Sequence, residues 1–475
     1  MSILFAASEI YPYAKSGGLA DVAQALPEAL RKEGQKVYSI MPLYNQVDRE
    51  KYNIKFSGLT FDYWLAGVRH QFDLFHKVDA PDELFVYNPI LCDRLGLYND
   101  DFGDFGDNAL RFGLFSYAVL EVMIRKKLKI KTIHINDWQT SLVALLAKTR
   151  YNLKQKIVLT IHNLAYQGIF SKKVMDELEL DWETCFKFKG IEYFDSVNFL
   201  KAGINYSDAI TTVSKTYAQE IQTAAFGNDL DETLRINSFK LQGIVNGIST
   251  EVFNPQKDEF IEKKFSLKTY WGKQKNKEKL LKELDLEGNE KPLFIFIGRF
   301  TSQKGVDLLI DSMPLIKDYE ANFIILGSGE ENYNHIFRQI SNRYKNIHIK
   351  IGYDEAFSRK LYASADFLFM PSIFEPCGLN QMISMQYGVL PIVAKTGGLK
   401  DTVVDFTDIE NLEKMELGVG ITLGELNLFW FNHAIAKALS LYGNRSKFIE
   451  ISKHNMSVDN SWKNSAQEYL NLYKA

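Results

Sequence analysis

Short, continuous apolar runs alternate with longer segments of helical period along the chain, and this alternation occurs twice. Runs of Val, Ile, Leu and Phe between helices are typical of parallel strands buried on both faces of a sheet. The pattern therefore predicts two doubly wound α/β domains, with ligands bound at the carboxyl ends of the strands. Helices are expected over 19–33, 109–128 and 139–151, among others. The predicted strands are SILFAAS, KVYSIMP, ELFVYN, KTIHIN, KIVLTIH and DAITTVS in the first half, and PLFIFIG, NFIILG, NIHIKIG, DFLFMPS, VLPIVAK and GVGITLG in the second.

The segment 54–87 departs from this pattern because its apolar and polar residues alternate strictly, as in HQFDLFHKVD. Such alternation predicts antiparallel hairpin strands, which we expect to extend the first sheet. The turn signals Asn-Gly and Asn-Pro in 245–255 predict the hinge between the domains. Beyond it, 257–291 is rich in Lys and Glu, and we interpret it as a solvated helical connector rather than a partner-binding patch.

These signals divide the chain into three parts. Residues 1–245 form a first Rossmann-like domain and residues 246–455 a second, and we expect the two to face each other across a cleft. Residues 456–475 contain an amphipathic helix that we expect to pack back on the first domain. Its predicted anchors are Trp462, Tyr469 and Tyr473.

The composition agrees with a multidomain protein and argues against several classes. At 475 residues the chain exceeds the size of one hydrophobic core, and its net charge of −3 gives no sign of a nucleic-acid-binding surface. Its three cysteines are far apart and its eight histidines show no HxxxH or HxH spacing, so no metal site is predicted. The apolar run from Ile3 to Ala7 is too short for a signal peptide, and no stretch approaches the roughly 20 residues of a membrane span. We expect a cytoplasmic protein without a membrane partner.

The first stretch with candidate chemistry is KSGGLADV, which starts at Lys15 and lies between the first strand and a helix. Gly17 and Gly18 let the backbone approach a ligand closely, and the N–H groups at the helix start face an anion. Lys15 brings a positive charge to the same place. The motif favours phosphate binding over a plain turn with a solvated lysine, although it is neither GxGxxG nor a Walker motif.

The second stretch, IGRFTSQKGVDLLI, places Gly298 and Arg299 at the carboxyl end of a strand and Lys304 before the next helix. Two cations five residues apart in one strand–helix loop can reach a single diphosphate, since Arg supplies a planar fork and Lys a point charge. The alternative is two surface cations in a loop. The GSG at 327–329 is a weaker signal for a nucleotide contact.

The third cluster combines HINDWQT (134–140) with TIHNLAYQG (160–168), both at predicted strand ends. It joins polar hydrogen-bonding side chains to aromatic platforms, a combination typical of sugar sites. A lone histidine such as His162 is more often structural, but the clustering favours a site. Its members are Asp137, Trp138, Gln139, His162, Asn163, Tyr166 and Gln167.

The stretch 373–400 carries a carboxylate beside a proline and a second Gly-Gly pair about twenty residues later. Glu375 follows the predicted strand DFLFMPS and precedes a helix over 378–387, while Thr396 and two glycines follow the next strand. Helix starts favour a diphosphate, and a carboxylate can hold sugar or ribose hydroxyls. We therefore expect a nucleotide sugar at these strand ends, between the two domains.

Together these motifs resemble those of the bacterial glycogen synthase and plant starch synthase family, retaining glucosyltransferases that use ADP-glucose. The resemblance covers almost the whole chain, from KSGGLADV through HINDWQ, TIHNLAYQG, GIVNGI, IGRFTSQKG and FEPCGLNQ to TGGLKDTV. It implies the two-domain GT-B fold, with the active site in the interdomain cleft. It also implies transfer of glucose to the non-reducing end of an α-1,4-glucan such as glycogen, with ADP-glucose as a substrate and without a cofactor or metal.

The resemblance also implies roles for individual residues. Lys15, Arg299 and Lys304 would bind the donor diphosphate, Glu375 would hold the donor, and His162 would contact the transferred glucose through its backbone carbonyl. These five residues are the predicted catalytic set. The further donor residues implied are Gly18, Asp21, Gly298, Tyr353 (stacked on the base), Cys377, Gly378, Leu379 and Thr396. The acceptor residues implied are Asp137, Trp138, Gln139, Asn163, Tyr166 and Gln167.

The sequence departs from the family pattern at two positions. Family members often read RFEPCGLTQ, whereas here Ile373 replaces the arginine and Asn380 the threonine. Asn380 can still hydrogen-bond a phosphate or ribose, but the charge expected at position 373 is lost. Ile383 stands eight residues after Glu375, where the broader retaining glycosyltransferases carry a second glutamate. Its presence favours the glycogen and starch synthase branch.

Two other classes of function remain as alternatives. One is a different nucleotide-sugar enzyme of the same fold, such as a sucrose-type transferase or an epimerase. The other is a catalytically silent glucan-binding protein. The presence of Lys15, Arg299, Lys304 and Glu375 together argues against the silent alternative.

Overall fold

The computed structural model of the chain describes residues 1–100, 102–341, 343–407 and 417–475. These residues form two compact units, one of residues 1–244 with 462–475 and one of residues 245–461. Each unit is an α/β body built around a mostly parallel sheet, so the predicted fold class of two Rossmann-like domains is confirmed.

Each predicted apolar run contains a strand. In the first unit the strands are β1 (Ser2–Ala6), β2 (Lys36–Pro42), β3 (Ile54–Leu65), β4 (Val68–Lys77), β5 (Ala80–Tyr87), β6 (Asn99–Asp100), β7 (Gly103–Asp104), β8 (Thr132–Asn136), β9 (Lys156–Ile161), β10 (Ile169–Ser171), β11 (Glu192–Tyr193), β12 (Ser196–Asn198), β13 (Ala209–Thr212) and β14 (Leu241–Gly243). In the second unit they are β15 (Leu293–Ile297), β16 (Asn322–Gly327), β17 (Ile347–Ile351), β18 (Phe367–Met370), β19 (Leu390–Ala394) and β20 (Ile421–Leu423).

Helices connect most of these strands. They are α1 (Gly18–Lys32), α2 (Pro89–Cys92), α3 (Asn108–Arg125), α4 (Asp137–Thr149), α5 (Val174–Glu177), α6 (Trp182–Cys185), α7 (Phe199–Tyr206), α8 (Lys215–Glu220), α9 (Asp231–Ile236), α10 (Trp271–Glu283), α11 (Val306–Ile316), α12 (Glu331–Ser341), α13 (Glu355–Ser364), α14 (Asn380–Gln386), α15 (Gly397–Thr402), α16 (Leu428–Gly443), α17 (Arg445–Asn455) and α18 (Trp462–Lys474), with 3-10 turns at Ser238–Lys240 and Ser302–Lys304. Among the described residues, none of these helices is both long and apolar enough to cross a membrane.

The sheet of the first unit has the order β14-β13-β9-β8-β1-β2-β5-β4-β3 among the described strands. From β1 the chain moves outward through β2 to the hairpin strands, and it then returns to β8 on the other side of β1. The predicted antiparallel pairing is present in β3, β4 and β5, although β5 also pairs parallel with β2. Strand order therefore reverses between β1 and β8, and such a reversal is where doubly wound sheets bind ligands.

The sheet of the second unit has the order β17-β16-β15-β18-β19-β20, with parallel neighbours throughout the described strands. Its order reverses between β15 and β18. At the centre, the ring of Phe294 stacks on those of Phe323, Phe367 and Phe369 at centroid distances of 5.0, 4.9 and 5.3 Å. This buried aromatic layer spans the strands whose carboxyl ends carry the candidate donor residues.

The C-terminal helix α18 belongs to the first unit, and it begins at Trp462 rather than at the boundary of 456 expected from the sequence. Trp462, Tyr469 and Tyr473 are all buried. The Tyr473 hydroxyl forms a 2.6 Å hydrogen bond with Nδ1 of the buried His134 on β8. The three aromatic residues therefore fasten this helix to the sheet.

The prediction of a solvated helical connector over 257–291 is wrong in part. Only Trp271–Glu283 is helical, and this helix buries Lys273 and Lys277, which are 4% and 1% exposed. The Lys277 ammonium forms a 2.6 Å ion pair with the buried Asp366 carboxylate. Composition alone predicted a solvated helix because lysine is rarely buried unless it has a partner, and that partner lies 89 residues away in the sequence.

Candidate active site

In the second unit, the two strands at the reversal carry the strongest candidate residues. Arg299 and Lys304 follow β15, and Glu375 follows the adjacent β18. Glycine at 305 permits this arrangement, since its φ is +71° and a Cβ there would lie 2.0 Å from the carbonyl oxygen of Pro371. The loops after β15 and β18 are therefore held in close contact.

Lys304 and Glu375 are paired in the structure. The Lys304 ammonium lies 2.5 Å from Oε2 of Glu375, and Ser372 Oγ donates to the same oxygen at 3.0 Å. The side chains of the pair are 20% and 9% exposed. Arg299 is exposed and has no side-chain hydrogen bond or ion pair with any described residue. One free guanidinium beside a neutralised pair leaves a net positive charge for an anion.

The second Gly-Gly pair has a structural role that the sequence did not reveal. Gly397 has φ +44°, and a Cβ there would lie 2.0 Å from the Glu375 carbonyl oxygen. A Cβ on Gly398 would lie 2.2 Å from the Cys377 carbonyl oxygen, and the Gly398 N–H donates to the Glu375 carbonyl at 3.1 Å. These glycines let the loop after β19 pack against the backbone that carries Glu375.

The residues after Glu375 are held by a buried amide. Gln381 donates from Nε2 to the carbonyls of Cys377 and Gly378 at 3.1 and 3.0 Å, and Gly378 has φ +71°. Burial raises the pKa of the Cys377 thiol to about 12, although the Asn246 backbone N–H opposes this shift. Cys377 is therefore an inert thiol. Asn246, in the GIVNGI motif, is a contact that the sequence analysis did not single out.

The remaining donor candidates differ in accessibility. Tyr353 is 84% exposed, as a ring that stacks on a base requires, whereas Thr396 is 6% exposed. Gly298 and Leu379 are half-buried, and Ile373 is 48% exposed. The Asn380 side chain is half-buried, and its Nδ2 donates to the Ile297 carbonyl at 2.8 Å, which engages one of the two N–H groups of the amide.

In the first unit, the Lys15 loop follows β1 at the strand reversal. The Lys15 ammonium forms a 2.7 Å ion pair with Asp21, and both side chains are more than a third exposed. A Cβ on Gly17 or Gly18 would find no atom within 4 Å, so the space beside the loop is open. The two glycines thus leave room for a ligand here.

A buried carboxyl beneath this loop was missed by the sequence analysis. Glu9 is 3% exposed and accepts a hydrogen bond from the Ser16 N–H. Burial raises its pKa to about 7, against the lowering effect of hydrogen bonds from Ser16 and Gly17. Glu9 therefore holds the backbone of the loop from inside. Its position directly after the first strand was the available signal.

Asp137 and His162 lie at the ends of the adjacent strands β8 and β9. Asp137 begins α4 with φ +53°, and its carboxylate accepts the His162 backbone N–H at 2.7 Å. The His162 ring hydrogen-bonds through Nε2 to Asn136 Oδ1 at 2.9 Å, and Asn136 Nδ2 donates to the Ala6 carbonyl at 3.0 Å. Because the Asn136 oxygen accepts, Nε2 carries the His162 proton. Burial lowers the pKa of His162 to about 3, so the ring is neutral.

The other acceptor candidates do not form one open surface. Trp138 is 8% exposed and packs against Phe112 at 5.0 Å and Phe170 at 5.6 Å, so little of its ring is accessible. The Gln167 amide is used by the Asn228 carbonyl and by Asn198.

Three acceptor candidates retain accessible groups or line the loop. Tyr166 is 56% exposed. Asn163 is half-buried, and its Oδ1 accepts the Ala165 N–H at 3.0 Å within the turn. Gln139 is 7% exposed, and its Oε1 has no hydrogen-bond partner among the described residues. A buried carbonyl oxygen without a partner is costly, so Gln139 is suited to accept a hydrogen bond from a ligand hydroxyl.

The buried Asp137 predicts a specific pH dependence of stability. Burial raises its pKa from 3.8 to about 7, although the N–H groups of His162 and Asn163 lower it. A raised acid pKa favours the protonated native state, so this group's contribution to the free energy of unfolding is lost as the pH rises from about 4 to 7. Asp137→Asn, which suits φ +53°, should therefore raise the melting temperature at about pH 8 relative to wild type more than at about pH 5. Thermal unfolding of both proteins at the two pH values measures this.

Asp62→Asn is the matched control, because it changes an aspartate on the surface. Asp62 forms an ion pair with Arg69 in which both side chains stay more than a third exposed. An equal change at both pH values for Asp137→Asn would show that Asp137 does not titrate in this range.

Two α/β units, each built around a mostly parallel sheet, are the architecture of the GT-B glycosyltransferase fold. The starch synthase catalytic domain model matches residues 2–236, and the glycosyl transferases group 1 model matches residues 276–418. A glycogen synthase from Aquifex aeolicus (strain VF5) is 44% identical over 100% of this chain and 99% of its own. One from Myxococcus xanthus (strain DK1622) is 39% identical over the same shares.

Solved structures show the same relationship. The catalytic domain of starch synthase IV from Arabidopsis thaliana, bound to ADP and acarbose, superimposes with a TM-score of 0.91 at 33% identity, over 100% of this chain and 98% of its own. Sucrose-phosphate synthase from Thermosynechococcus elongatus shares the fold, with a TM-score of 0.63 at 15% identity over the same shares. The chain belongs to the glycogen synthase and starch synthase family. As a member, it is a retaining glucosyltransferase whose substrates are a nucleotide sugar and a glucan.

Proposed function

We propose that the chain transfers glucose from ADP-glucose to the non-reducing 4-hydroxyl of an α-1,4-glucan such as glycogen, with retention of configuration. The observation that carries this proposal is the cluster of Arg299, Lys304 and Glu375 on adjacent loops at the strand reversal of the second unit. Anionic ligands bind at such reversals in doubly wound sheets, and this cluster has one exposed guanidinium without a partner in the described part of the chain. The ADP in the plant starch synthase structure agrees with an adenine nucleotide donor.

The donor residues have separate tasks in this proposal. Arg299 binds the diphosphate with its planar fork, and Lys304 adds a point charge. The attraction of this charge to the leaving ADP grows as the ADP becomes more negative. Lys15 supplies a third cation once its exposed pair with Asp21 opens. Since three cationic side chains provide the charge, we expect no metal requirement. Glu375 orients the donor while its Oε2 positions Lys304.

The family retains the configuration at the anomeric carbon, and the contacts of the carboxylates bear on how retention is reached. Glu375 is bound by Lys304 and Ser372, and Asp137 is bound by the His162 N–H, so neither is placed as a nucleophile on a sugar. We propose a front-face displacement in which the departing phosphate assists deprotonation of the acceptor hydroxyl. The neutral His162 does not add charge beside the transferred glucose. Gln139 Oε1 is the proposed acceptor of a hydrogen bond from a sugar hydroxyl.

The proposal predicts the choice of donor. ADP-glucose should be preferred over UDP-glucose by at least about tenfold in kcat/KM, a difference that corresponds to about 1.4 kcal/mol of transition-state binding. The exposed Tyr353 ring stacks better on the larger purine, so Tyr353→Ala should narrow this preference while Tyr353→Phe keeps it. The measurement is transfer of radiolabelled glucose from each donor to glycogen. Equal or better transfer from UDP-glucose would refute the donor assignment.

The two alternatives from the sequence give different products. A sucrose-type transferase would transfer glucose to fructose, an epimerase would need no acceptor, and a silent binding protein would bind glucan without turnover. Product analysis with glycogen, with fructose and without an acceptor separates these outcomes. The likeness to sucrose-phosphate synthase concerns the fold alone at 15% identity and does not favour that alternative. A cytoplasmic location is likewise a proposal that rests on this family assignment.

A further inference from the structure

The turn between β11 and β12 holds an aromatic residue in a conformation that aromatic residues rarely adopt. Phe194 has φ +47° and Asp195 has φ +61°, and these are the two central residues of a two-residue hairpin. Such turns favour Asn-Gly because a side chain on a left-handed residue crowds its own backbone. Asp tolerates this conformation, whereas a bulky residue such as Phe is an outlier.

Packing does not explain the presence of Phe194. Its side chain is 77% exposed, and its described ring neighbour is Tyr193, in edge contact at 4.7 Å. Polar contacts maintain the strained backbone conformation of the turn. The Lys172 ammonium lies 2.7 Å from Asp195, and the Asp195 N–H donates to Glu192 at 3.1 Å. Backbone strain that no packing offsets is found mainly at functional sites.

The hairpin is continuous with the loop that carries the acceptor candidates. β12 pairs with β10, which begins two residues after Gln167, and Gln167 Oε1 accepts from Asn198 at the far end of β12 at 2.6 Å. With a rise of about 3.3 Å per residue, the turn lies on the order of 10 Å from Gln167. Tyr166, which directly precedes Gln167, is 56% exposed.

We propose that Phe194 is a remote acceptor subsite, a platform on which a sugar ring of a longer α-glucan chain stacks while the chain end is at the reaction centre. This inference rests on the proposed function, since it needs a glucan acceptor at the Asn163–Gln167 loop. An uncharged aromatic face fits a sugar ring, and the charged residue of the turn, Asp195, is paired with Lys172. Its distance from Gln167 means that only longer chains reach it.

The test compares acceptors of different length in Phe194→Asn, a residue that removes the ring and accepts the left-handed backbone. The KM for glycogen and for maltoheptaose should rise roughly two- to tenfold, the usual contribution of an aromatic contact. The KM for maltotriose, the KM for ADP-glucose and kcat should stay unchanged. The melting temperature should rise by about 1–3 °C because asparagine relieves the backbone strain in the turn. Phe194→Tyr keeps the platform and should behave as wild type.

Two control variants separate the loss of a sugar contact from relief of backbone strain and from the loss of any exposed ring. Ala66→Gly relieves the same kind of strain at the β3–β4 turn, where φ is +48°, and should not affect any acceptor. Phe239→Asn removes another ring, 85% exposed, from the same unit and should also leave acceptor kinetics unchanged.

The outcomes are distinct. If wild type transfers glucose to glycogen but Phe194→Asn shows equal KM values for long and short acceptors, the subsite is refuted and the proposed function stands. A lower melting temperature for Phe194→Asn, or a changed oligomeric state in ultracentrifugation, would assign Phe194 to folding or to self-association instead. If wild type shows no transfer to any glucan, the proposed function itself fails.

Discussion

Lys304→Ala is expected to lower kcat for glucose transfer by about 10²–10³, the usual effect of removing one group that stabilises developing charge. KM for ADP-glucose should rise less, because the charge on the departing ADP is larger in the transition state than in bound substrate. Glu375→Gln should lose a similar factor, since the oxygen that positions Lys304 at 2.5 Å no longer carries a full charge. Initial rates over a range of ADP-glucose concentrations measure both effects.

Because the pair is largely buried, its structural contribution has to be separated from its contribution to catalysis. Replacing one partner leaves the other as a buried charge without its counter-ion, so each single variant should lose about 1–3 kcal/mol of stability. The Glu375 side chain is only 9% exposed, so a loss of stability is expected beside the loss of activity. The double variant Lys304→Met/Glu375→Leu removes both charges and should regain most of that stability.

The activity of the double variant then decides whether the pair acts in catalysis or only in stability. If the double variant melts like wild type and remains at least about 10² slower, the pair acts in catalysis. Recovery of both stability and rate would make it a structural pair only. Lys317→Ala, at an exposed residue directly after the helix that follows Lys304, is the matched control and should change neither quantity.

The fold was predictable because its strands are continuous apolar runs. NFIILG, for example, is β16 without a residue gained or lost. The order of the strands was not predictable, since nothing in one run specifies its neighbour. That order places Arg299 and Glu375 on adjacent loops and makes the reversal between β15 and β18. The motifs predicted the candidate site residues, and the strand order determines which of them lie close together.

Several features of the candidate site depend on burial that the sequence does not show. Trp138 and Gln167 stay predicted sugar contacts, but they are 8% and 6% exposed, with Phe112 and Asn198 among their partners. Glu9 was overlooked because a single glutamate after a strand carries no motif, and its role depends on burial. Gly397 and Gly398 were assigned to an anion, whereas close backbone approach to Glu375 and Cys377 already requires them. Each of these facts depends on contacts distant in the sequence.

The buried pair of Lys277 and Asp366 leads to the second large effect. Burial by itself lowers the pKa of Lys277, but the Asp366 carboxylate and Tyr442 raise it above its usual value, so the lysine is charged. Asp366 Oδ2 also accepts the Leu293 N–H at 2.8 Å, and these residues lie at the start of β18 and of β15. The pair therefore fixes the two strands whose opposite ends carry Glu375 and Arg299.

Lys277→Met, close in size but uncharged, should cost about 3–5 kcal/mol of stability, because it leaves Asp366 as a buried charge without its partner. The melting temperature of the second unit should fall by on the order of 10 °C. Lys277→Met/Asp366→Asn should regain much of this loss, since the amide oxygen can still accept from Leu293. Lys275→Met, on the same helix with 57% of its side chain exposed, should change stability by less than about 0.5 kcal/mol. If Lys277→Met melts within about 2 °C of wild type, or if the double variant is no more stable than the single one, the pair does not fix these two strands.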